Sequence, residues 1–485
     1  MSFVEQLTAD YLYSAFKAKD TRFDGRFFIG ITTTQIYCRP VCRARQAKAE
    51  NCRYFKTAAE AELAGFRPCL LCRPEQAPGN SVTDAQTNLA AQVAKVLEEH
   101  CGSGIHLKEL AEELGYTDRH LRRVFLEEYH VSPVQYLQTC RLLLAKSLLT
   151  DTNLSVIEVA MASGFGSLRR FNALFQKHYQ LTPTTLRKES ISDQRQKDKI
   201  TLALGYRPPY RWQELLNFLE KRAIEGVEKV QDNSYLRTVR LANFEGKECS
   251  GWIKIQPMEG KNLLAVTLSE SLLPVLPQVL SRIRQLFDLY CDPTVVYETL
   301  NHMENFACGT RIPGCFDPFE MAVRAILGQQ ITVKAASTLA ARIVQKFGTP
   351  IQTPFTELTH TFPTPHTVLT LEGTIEENLG QLGVIATRSR TIKSLAERLS
   401  AGTIRFGPQA NPETEVEKLL AIPGIGHWTA HYLAMRALSW PDAFLETDVG
   451  IKKALVPLKP KEMLQLAENW RPWRSYATVS LWNSL

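Results

Sequence analysis

Apolar residues return at helical spacing in two places about fifty residues apart. In LKELAEELGYTDRHLRRVFLEEY the positions Leu107, Leu110, Ala111 and Leu114 form one stripe, Gly115 breaks it, and Thr117 is placed to cap a second helix. In VIEVAMASGFGSLRRFNALFQKHY, Val156, Ile157, Val159 and Ala160 precede Gly164, and a new helix begins near Ser167. A stripe, a glycine break and a capped second helix, repeated, make a paired helix-turn-helix grammar. The stretch 83–188 therefore reads as short helices throughout. Residues 189–199, ESISDQRQKDK, hold almost no apolar residue and read as a linker.

Beyond the linker the period changes. Tyr235–Leu241, Cys249–Ile255 and Leu263–Leu268 alternate or are rich in β-formers, while Trp212–Ile224 and Leu276–Leu289 carry a helical pattern, which predicts a small antiparallel α/β unit over 200–300. From about Asn301 to the end, 301–485, the pattern is helical again with proline-rich loops. With 1–80 as a further small α/β unit, the chain reads as multidomain α+β. Its 485 residues are too many for one ordinary core, and the 44% hydrophobic content favours globular units over disorder.

The 1–80 unit holds Cys38, Cys42, Cys69 and Cys72, spaced C-x3-C and C-x2-C inside an arginine-rich stretch. Close cysteine pairs of this kind make a tetrahedral zinc site, and four thiolates on Zn2+ carry a net charge of minus two. Such a site is either closed and structural or, because its sulfurs are held as thiolates, nucleophilic. Cys52 stands apart from both pairs and reads as a small buried residue. Eleven cysteines, an odd number clustered for metal, argue against a secreted disulfide framework. No apolar run approaches a membrane span and the first twenty residues lack a signal-peptide pattern. A reducing bacterial cytoplasm and no membrane partner are expected. The net charge of +7 suits a nucleic-acid partner without requiring one.

TTTQIYCRPVCRAR followed by AGFRPCLLCRP closely resembles the zinc domain of Ada-type DNA repair proteins. The resemblance implies that Cys38 takes a methyl group from a methylphosphotriester of the DNA backbone, that Cys38, Cys42, Cys69 and Cys72 hold the zinc, and that Thr34, Arg45 and Arg67 contact phosphate. Methylation would lower the charge barrier toward DNA and switch on promoter binding. GFGSLRRFNALFQKHYQLTP resembles the AraC-type DNA-binding domain. Its second helices would present Arg119, Arg122 and Arg123 in one repeat and Arg169, Arg170 and Asn172 in the other to adjacent major grooves; a bundle with a solvated basic face is the plainer alternative. Contact with RNA polymerase and a monomeric state are further expectations.

In LLAIPGIGHWTAHYLAMRA, Gly424 and Gly426 let the amides of a following helix point outward to grip a phosphate, the helix-hairpin-helix device. Twenty-two residues later Asp448 opens another helix, where an N-cap and a carboxylate facing a cationic sugar fit equally well. The stretch from Tyr206 to Trp482 is similar throughout to AlkA-type 3-methyladenine DNA glycosylases (DNA-3-methyladenine glycosylase II). That likeness makes Asp448 catalytic, lines a base pocket with Phe218, Trp428, Tyr432 and Trp482, whose ring faces would favour a positively charged base, and implies excision of 3-methyladenine and 7-methylguanine from double-stranded DNA. Trp428 stands where backbone-cutting relatives carry a Schiff-base lysine, so a monofunctional hydrolase is expected. Two positions depart from the family: Thr447 replaces an acidic residue, and Gln330 replaces the apolar wedge that fills the gap left by a flipped base. No Pro-Cys-His-Arg sequence occurs, so the second methyltransferase of Ada-type proteins is expected to be missing. The alternative is a damage-responsive regulator whose glycosylase-like half is inactive.

Overall fold

A computed structural model of the chain describes residues 8–78, 89–102, 106–189, 200–243, 245–304, 306–407 and 410–485. Of the expected linker, residue 189 ends the helix Pro183–Glu189, and 190–199 lie outside the described residues.

The N-terminal unit is a four-stranded sheet in the order β3-β1-β2-β4, with β1 Phe28–Ile31, β2 Ile36–Cys38, β3 Cys52–Phe55 and β4 Arg67–Pro68. Pairing is antiparallel except for β2 and β4, which run parallel with Ile36 opposite Arg67. The helix Ala9–Ala18, capped by Thr8, buries Leu12, Ala15 and Phe16 against Phe23, Phe27 and Ile29. Cys52, expected to be buried, is only half-buried, because it sits at the end of β3, where its thiol donates to the Lys48 carbonyl.

Both sequence-read caps are made in the helical unit. Thr117 accepts from the His120 amide and Ser167 from the Arg170 amide, while Gly115 and Gly164 adopt the left-handed backbone that ends the preceding helices. The helices are not short throughout, however. Pro133–Asp151 runs for 19 residues between the two repeats, opened by a Ser132–Gln135 capping box. It buries side chains all round, among them Tyr136, Leu142, Lys146 and Leu149, so no single apolar stripe marks it in the sequence.

The third unit is a five-stranded antiparallel sheet, β5-β9-β8-β7-β6, formed by β5 Ile200–Gly205, β6 Glu228–Gln231, β7 Ser234–Ala242, β8 Glu248–Pro257 and β9 Leu263–Leu268. The sequence reading missed β5 and β6. The first abuts the polar stretch, and the second, EKVQ, is too polar to read as a buried strand. Glu228 is nevertheless buried, in an ionic cluster with Arg237 and Arg324 that ties this sheet to the helix Pro318–Leu327. The guanidiniums hold its carboxyl down at about 2 against the desolvation that burial imposes. The helix beginning at Trp212 ends at Glu220, short of Ile224, and Leu276–Leu286 ends short of Leu289. The helical core already includes Val296 and Leu300 of Pro293–Leu300, so it begins before residue 301.

The halves share structure rather than sitting on a string. Leu148, Phe171 and Phe175 lie in one continuous buried cluster with Leu202, Leu216 and Val266 of the sheet unit. A β-carbon added at Gly205 would meet the Gln76 carbonyl at 2.1 Å, so β5 lies flat on the N-terminal unit. Arg26 pairs with Asp292, both buried, at that junction. Lys146, whose side chain is 1% exposed, reaches Glu75 at 2.5 Å, and Arg73 forks onto Asp151 with two bonds of 2.8 Å.

Glu62 seals the contact between the zinc-ligand sheet and the helical unit. It accepts from the Tyr37 hydroxyl at 3.1 Å and the Thr139 hydroxyl at 2.9 Å, with Tyr179, Lys146 and His178 also facing it. Burial pushes its carboxyl from the ordinary 4.5 up to about 8. The folded state therefore holds a proton that the unfolded chain has lost, and stability falls as pH rises from about 4.5 to about 8, then levels. Glu62→Gln should remove this slope. Melting curves of the two proteins should coincide in acid and separate by several degrees above the folded value, the Gln form being the more stable; a wild type at least as stable there would contradict the assignment.

Candidate functional site

The first centre is built where β2 ends. Cys38 closes that strand, Cys42 follows a tight turn, and Cys69 and Cys72 leave β4, which β2 pairs in parallel. Their four sulfurs all lie within 4.8 Å of one another, and among the described residues no other group of this kind occurs. Four soft donors at that spacing fit zinc. Cys38 is 6% exposed, and Cys72 is the most open of the four.

Arg39 is buried and was not singled out from sequence. It pairs with both oxygens of Asp24, donates to the Cys72 carbonyl at 3.1 Å, and offers its backbone amide to Cys72 Sγ at 3.3 Å. It thus fixes the second cysteine loop, in the manner of the outer partners that orient metal ligands. Its only signal was the C-R-P wording. Thr34 lies exposed in the β1–β2 turn, Arg67 is half-buried on β4 two residues before Cys69, and Arg45 is exposed in the loop after Cys42. All three border the cysteine cluster in sequence or register.

Both recognition-helix sets are on the surface. Arg119, Arg122 and Arg123 stand exposed on Asp118–Tyr129, and Arg169, Arg170 and Asn172 on Leu168–Tyr179. The two sets differ in how their charge is held. Arg122 pairs with Asp118 at 2.8 Å and Arg123 with Glu127 at 3.1 Å on their own helix, whereas Arg169 and Arg170 make no ion pair among the described residues.

The second centre lies in the C-terminal half. Gly424 takes φ +92° in the turn between Pro412–Leu420 and His427–Arg436, and Gly426 begins the latter helix with no side-chain cap, leaving its first amides open. Gln329 braces that turn by donating to the Gly424 carbonyl at 2.9 Å and to Thr429 Oγ1 at 3.0 Å, and Arg388 pins the Gln329 carbonyl. Gln330, next in the chain, is exposed in a left-handed conformation, φ +56°. Gln330 is thus held beside the hairpin by its neighbour.

Asp448 is an N-cap and more than that. Oδ1 accepts from the amides of Gly450 at 2.8 Å and Ile451 at 3.1 Å and from Trp482 Nε1 at 2.9 Å; Oδ2 accepts from Trp428 Nε1 at 2.8 Å. Cap and pocket are therefore not alternatives. One carboxylate ties the start of Val449–Ala454 to the hairpin helix and to the C-terminal helix Arg474–Asn483. Trp428 stacks on Tyr432 at 5.0 Å, Tyr432 meets Trp482 at 6.3 Å, and Phe218 stacks on Trp482 at 5.9 Å, so all four expected aromatics converge around Asp448. Thr447 is exposed just before it.

Two arginines were not anticipated there. Arg222 lies 3.6 Å from the Phe218 ring centroid, and Arg436 lies 5.0 Å from it and 5.3 Å from that of Tyr432. The ring face of Phe218 expected to welcome a positive base is already occupied by a guanidinium.

Four family models match in succession: the metal binding domain of Ada over residues 11–75, a helix-turn-helix domain over 110–189, the AlkA N-terminal domain over 201–317, and the HhH-GPD superfamily of base excision DNA repair proteins over 323–464. A "probable bifunctional transcriptional activator/DNA repair enzyme AlkA" of Mycobacterium tuberculosis is 34% identical across 98% of this chain and 96% of its own. The chain belongs to that family of bifunctional activator and DNA repair proteins. DNA-3-methyladenine glycosylase 2 of Escherichia coli is 35% identical over 58% of this chain and 95% of its own length. The bifunctional transcriptional activator/DNA repair enzyme AdaA of Bacillus subtilis is 27% identical over 38% and 85%. Family membership makes zinc the cofactor of the four-cysteine centre and DNA the partner of the helix-turn-helix and hairpin units. No described helix is long and apolar enough to cross a membrane.

Gly424 gives a direct check of the hairpin. A β-carbon there would meet Thr391 Oγ1 at 2.1 Å on a backbone that resists side chains. Gly424→Ala should cost about 1–3 kcal/mol of stability and weaken binding to undamaged duplex, read by melting and by fluorescence anisotropy; unchanged affinity would remove the hairpin from the interface.

Proposed function

We propose that the C-terminal half hydrolyses the bond between sugar and alkylated purine in double-stranded DNA, releasing 3-methyladenine, 7-methylguanine and similar bases, and leaves the backbone intact. The observation that carries this reading is the Asp448 carboxylate, held by four N–H donors among the rings of Trp428, Tyr432, Trp482 and Phe218 and next to the hairpin helix. Those donors fix its direction, so it needs no reorganisation when charge develops. A methylated purine carries a positive charge. When C1′–N breaks, the electron pair neutralises the base and the sugar is left positive, opposite Asp448. Water then adds to C1′ and gives a proton to solvent. Trp428 offers an indole N–H where a lysine would form a Schiff base, so no covalent route to strand cleavage exists at that position. Gln330 fills the vacated stack and offers its amide to the opposite base.

The N-terminal half, in the same proposal, takes methyl from a methylphosphotriester onto Cys38. Zinc held by Cys38, Cys42, Cys69 and Cys72 keeps the thiols ionised at neutral pH. The Cys38 sulfur attacks the methyl carbon, S–C forms, C–O breaks, and its electron pair stays on the phosphate, restoring a diester. The centre loses one negative charge, so promoter binding through Arg119, Arg122, Arg123, Arg169, Arg170 and Asn172 tightens, most at low salt. Thr34, Arg45 and Arg67 would seat the phosphate. The activated chain acts as a monomer and contacts RNA polymerase.

Incubation of the purified chain with methylated duplex should release free base without strand breaks, and Asp448→Asn should be at least a hundredfold slower while still binding. Equal release by the variant, or none by wild type, would overturn the glycosylase reading. Mass spectrometry should find one added methyl, on Cys38, absent from Cys38→Ser. A methyl on Cys72 would move the acceptor to another ligand of the cluster.

A further inference from the structure

The turn between β8 and β9 of the sheet unit faces the N-terminal unit across a groove of about 1000 Å3, which β5 also lines and which reaches the cysteine cluster at Cys72. The charges of its inner wall are already matched, because Arg39 pairs with Asp24 and Arg73 with Asp151. Those of its rim are not. Lys19 and Arg43 of the N-terminal unit and Lys261 of the turn line the groove, are exposed, and make no ion pair among the described residues. The acids next to them in the chain do not cancel them: Asp20 is paired with Arg22, and Glu259 does not line the groove.

Two of these cations stand on fixed backbone. Lys19 ends the helix Ala9–Ala18 in a left-handed conformation, its amide donating to the Phe16 carbonyl at 3.1 Å. Lys261 sits in a closed turn, where the Met258 amide donates to the Leu263 carbonyl at 2.9 Å and the Met258 carbonyl accepts from the Lys261 amide at 3.1 Å. Leu70 and Leu71, in the loop joining Cys69 to Cys72, are both exposed and add apolar surface to the same groove. Three unmatched positive charges beside an apolar strip complement a chain that alternates anionic phosphate with apolar sugar faces. The volume lies at the top of the range of small-molecule sites, about 300–1,000 Å3, and the cations are on the rim rather than buried, which suits a polyanion better than a small ligand.

We propose that this groove seats the DNA backbone engaged by the cysteine cluster, so that Lys261, a residue of the glycosylase half, forms part of the methyl acceptor's DNA site. Lys19 and Arg43 hold the phosphates from one side of the groove and Lys261 from the other, each contact releasing counterions from the DNA. The two halves of the chain thereby build one binding surface.

The inference rests on the reading that Cys38 accepts methyl from DNA. Its test is the rate at which the full chain takes up methyl from a duplex carrying one methylphosphotriester, followed by mass spectrometry below saturation over a series of salt concentrations. Lys261→Gln should slow uptake several-fold near 0.1 M salt and make the slope of log rate against log salt shallower by about one. The triple change Lys19→Gln, Arg43→Gln, Lys261→Gln should make it shallower by about two to three. Lys247→Gln, the same loss of charge at an exposed position of the sheet unit outside the groove, should leave rate and slope as in wild type. Melting curves and release of 7-methylguanine report whether each variant is folded. A Lys261→Gln chain with the wild-type slope would overturn the proposal and leave the Cys38 reading intact, and so would an equal loss in Lys247→Gln. A wild type that takes up no methyl would remove both.

Discussion

The C-terminal half is organised by a single carboxylate. Asp448 receives two backbone amides and two indole N–H groups, which oblige three helices to meet within hydrogen-bond reach of one side chain. Each indole is thereby turned so that its ring lines the pocket. The pocket cannot widen without stretching a charge-assisted bond. The hairpin belongs to the same assembly, because Trp428 lies on the helix His427–Arg436 that the hairpin turn opens, and Ile425 is buried between the two turn glycines, Gly424 and Gly426. The hairpin turn and the Asp448 carboxylate are thus joined through one short helix.

The regulator is bound to this machinery by burial rather than by a tether. The second helix-turn-helix repeat shares its core with the sheet unit, and the zinc-ligand sheet is locked to both through Arg26–Asp292, Lys146–Glu75 and Arg73–Asp151. Buried ion pairs of this kind contribute orientation more than stability, since desolvation offsets much of their attraction. Arg73 follows Cys72 directly, so a change at the cysteine cluster is one residue from a bond that holds the helical unit. Tyr37, adjacent to Cys38, leads through Glu62 to Thr139 in the same way.

How much of this was legible in the chain depended on whether a feature was local. Helix breaks at Gly115 and Gly164, the caps Thr117 and Ser167, the four cysteines and the hairpin glycines are short-range signals, and the structure shows both breaks, both caps, the four-sulfur cluster and a tight turn at Gly424. The helix Pro133–Asp151 carried no stripe because it is packed on every side. Strand β6 was hidden because its buried glutamate is solvated by arginines distant in sequence. Arg222 and Arg436 look like ordinary charged helix positions in the sequence; only the fold brings both guanidiniums over the Phe218 ring. Long-range electrostatics was the part the sequence could not state.

The central claim is that Asp448 opposes a positive charge at the sugar. It is tested most directly by affinity for a duplex carrying a pyrrolidine in place of the damaged nucleotide's sugar, protonated at the reacting position, against a neutral tetrahydrofuran abasic duplex of the same sequence. The account predicts that wild type prefers the cationic analogue by about a hundredfold or more and that Asp448→Asn loses most of that preference while holding the neutral duplex as before. Equal affinity for both duplexes in wild type, or a preference that survives in the variant, would contradict it.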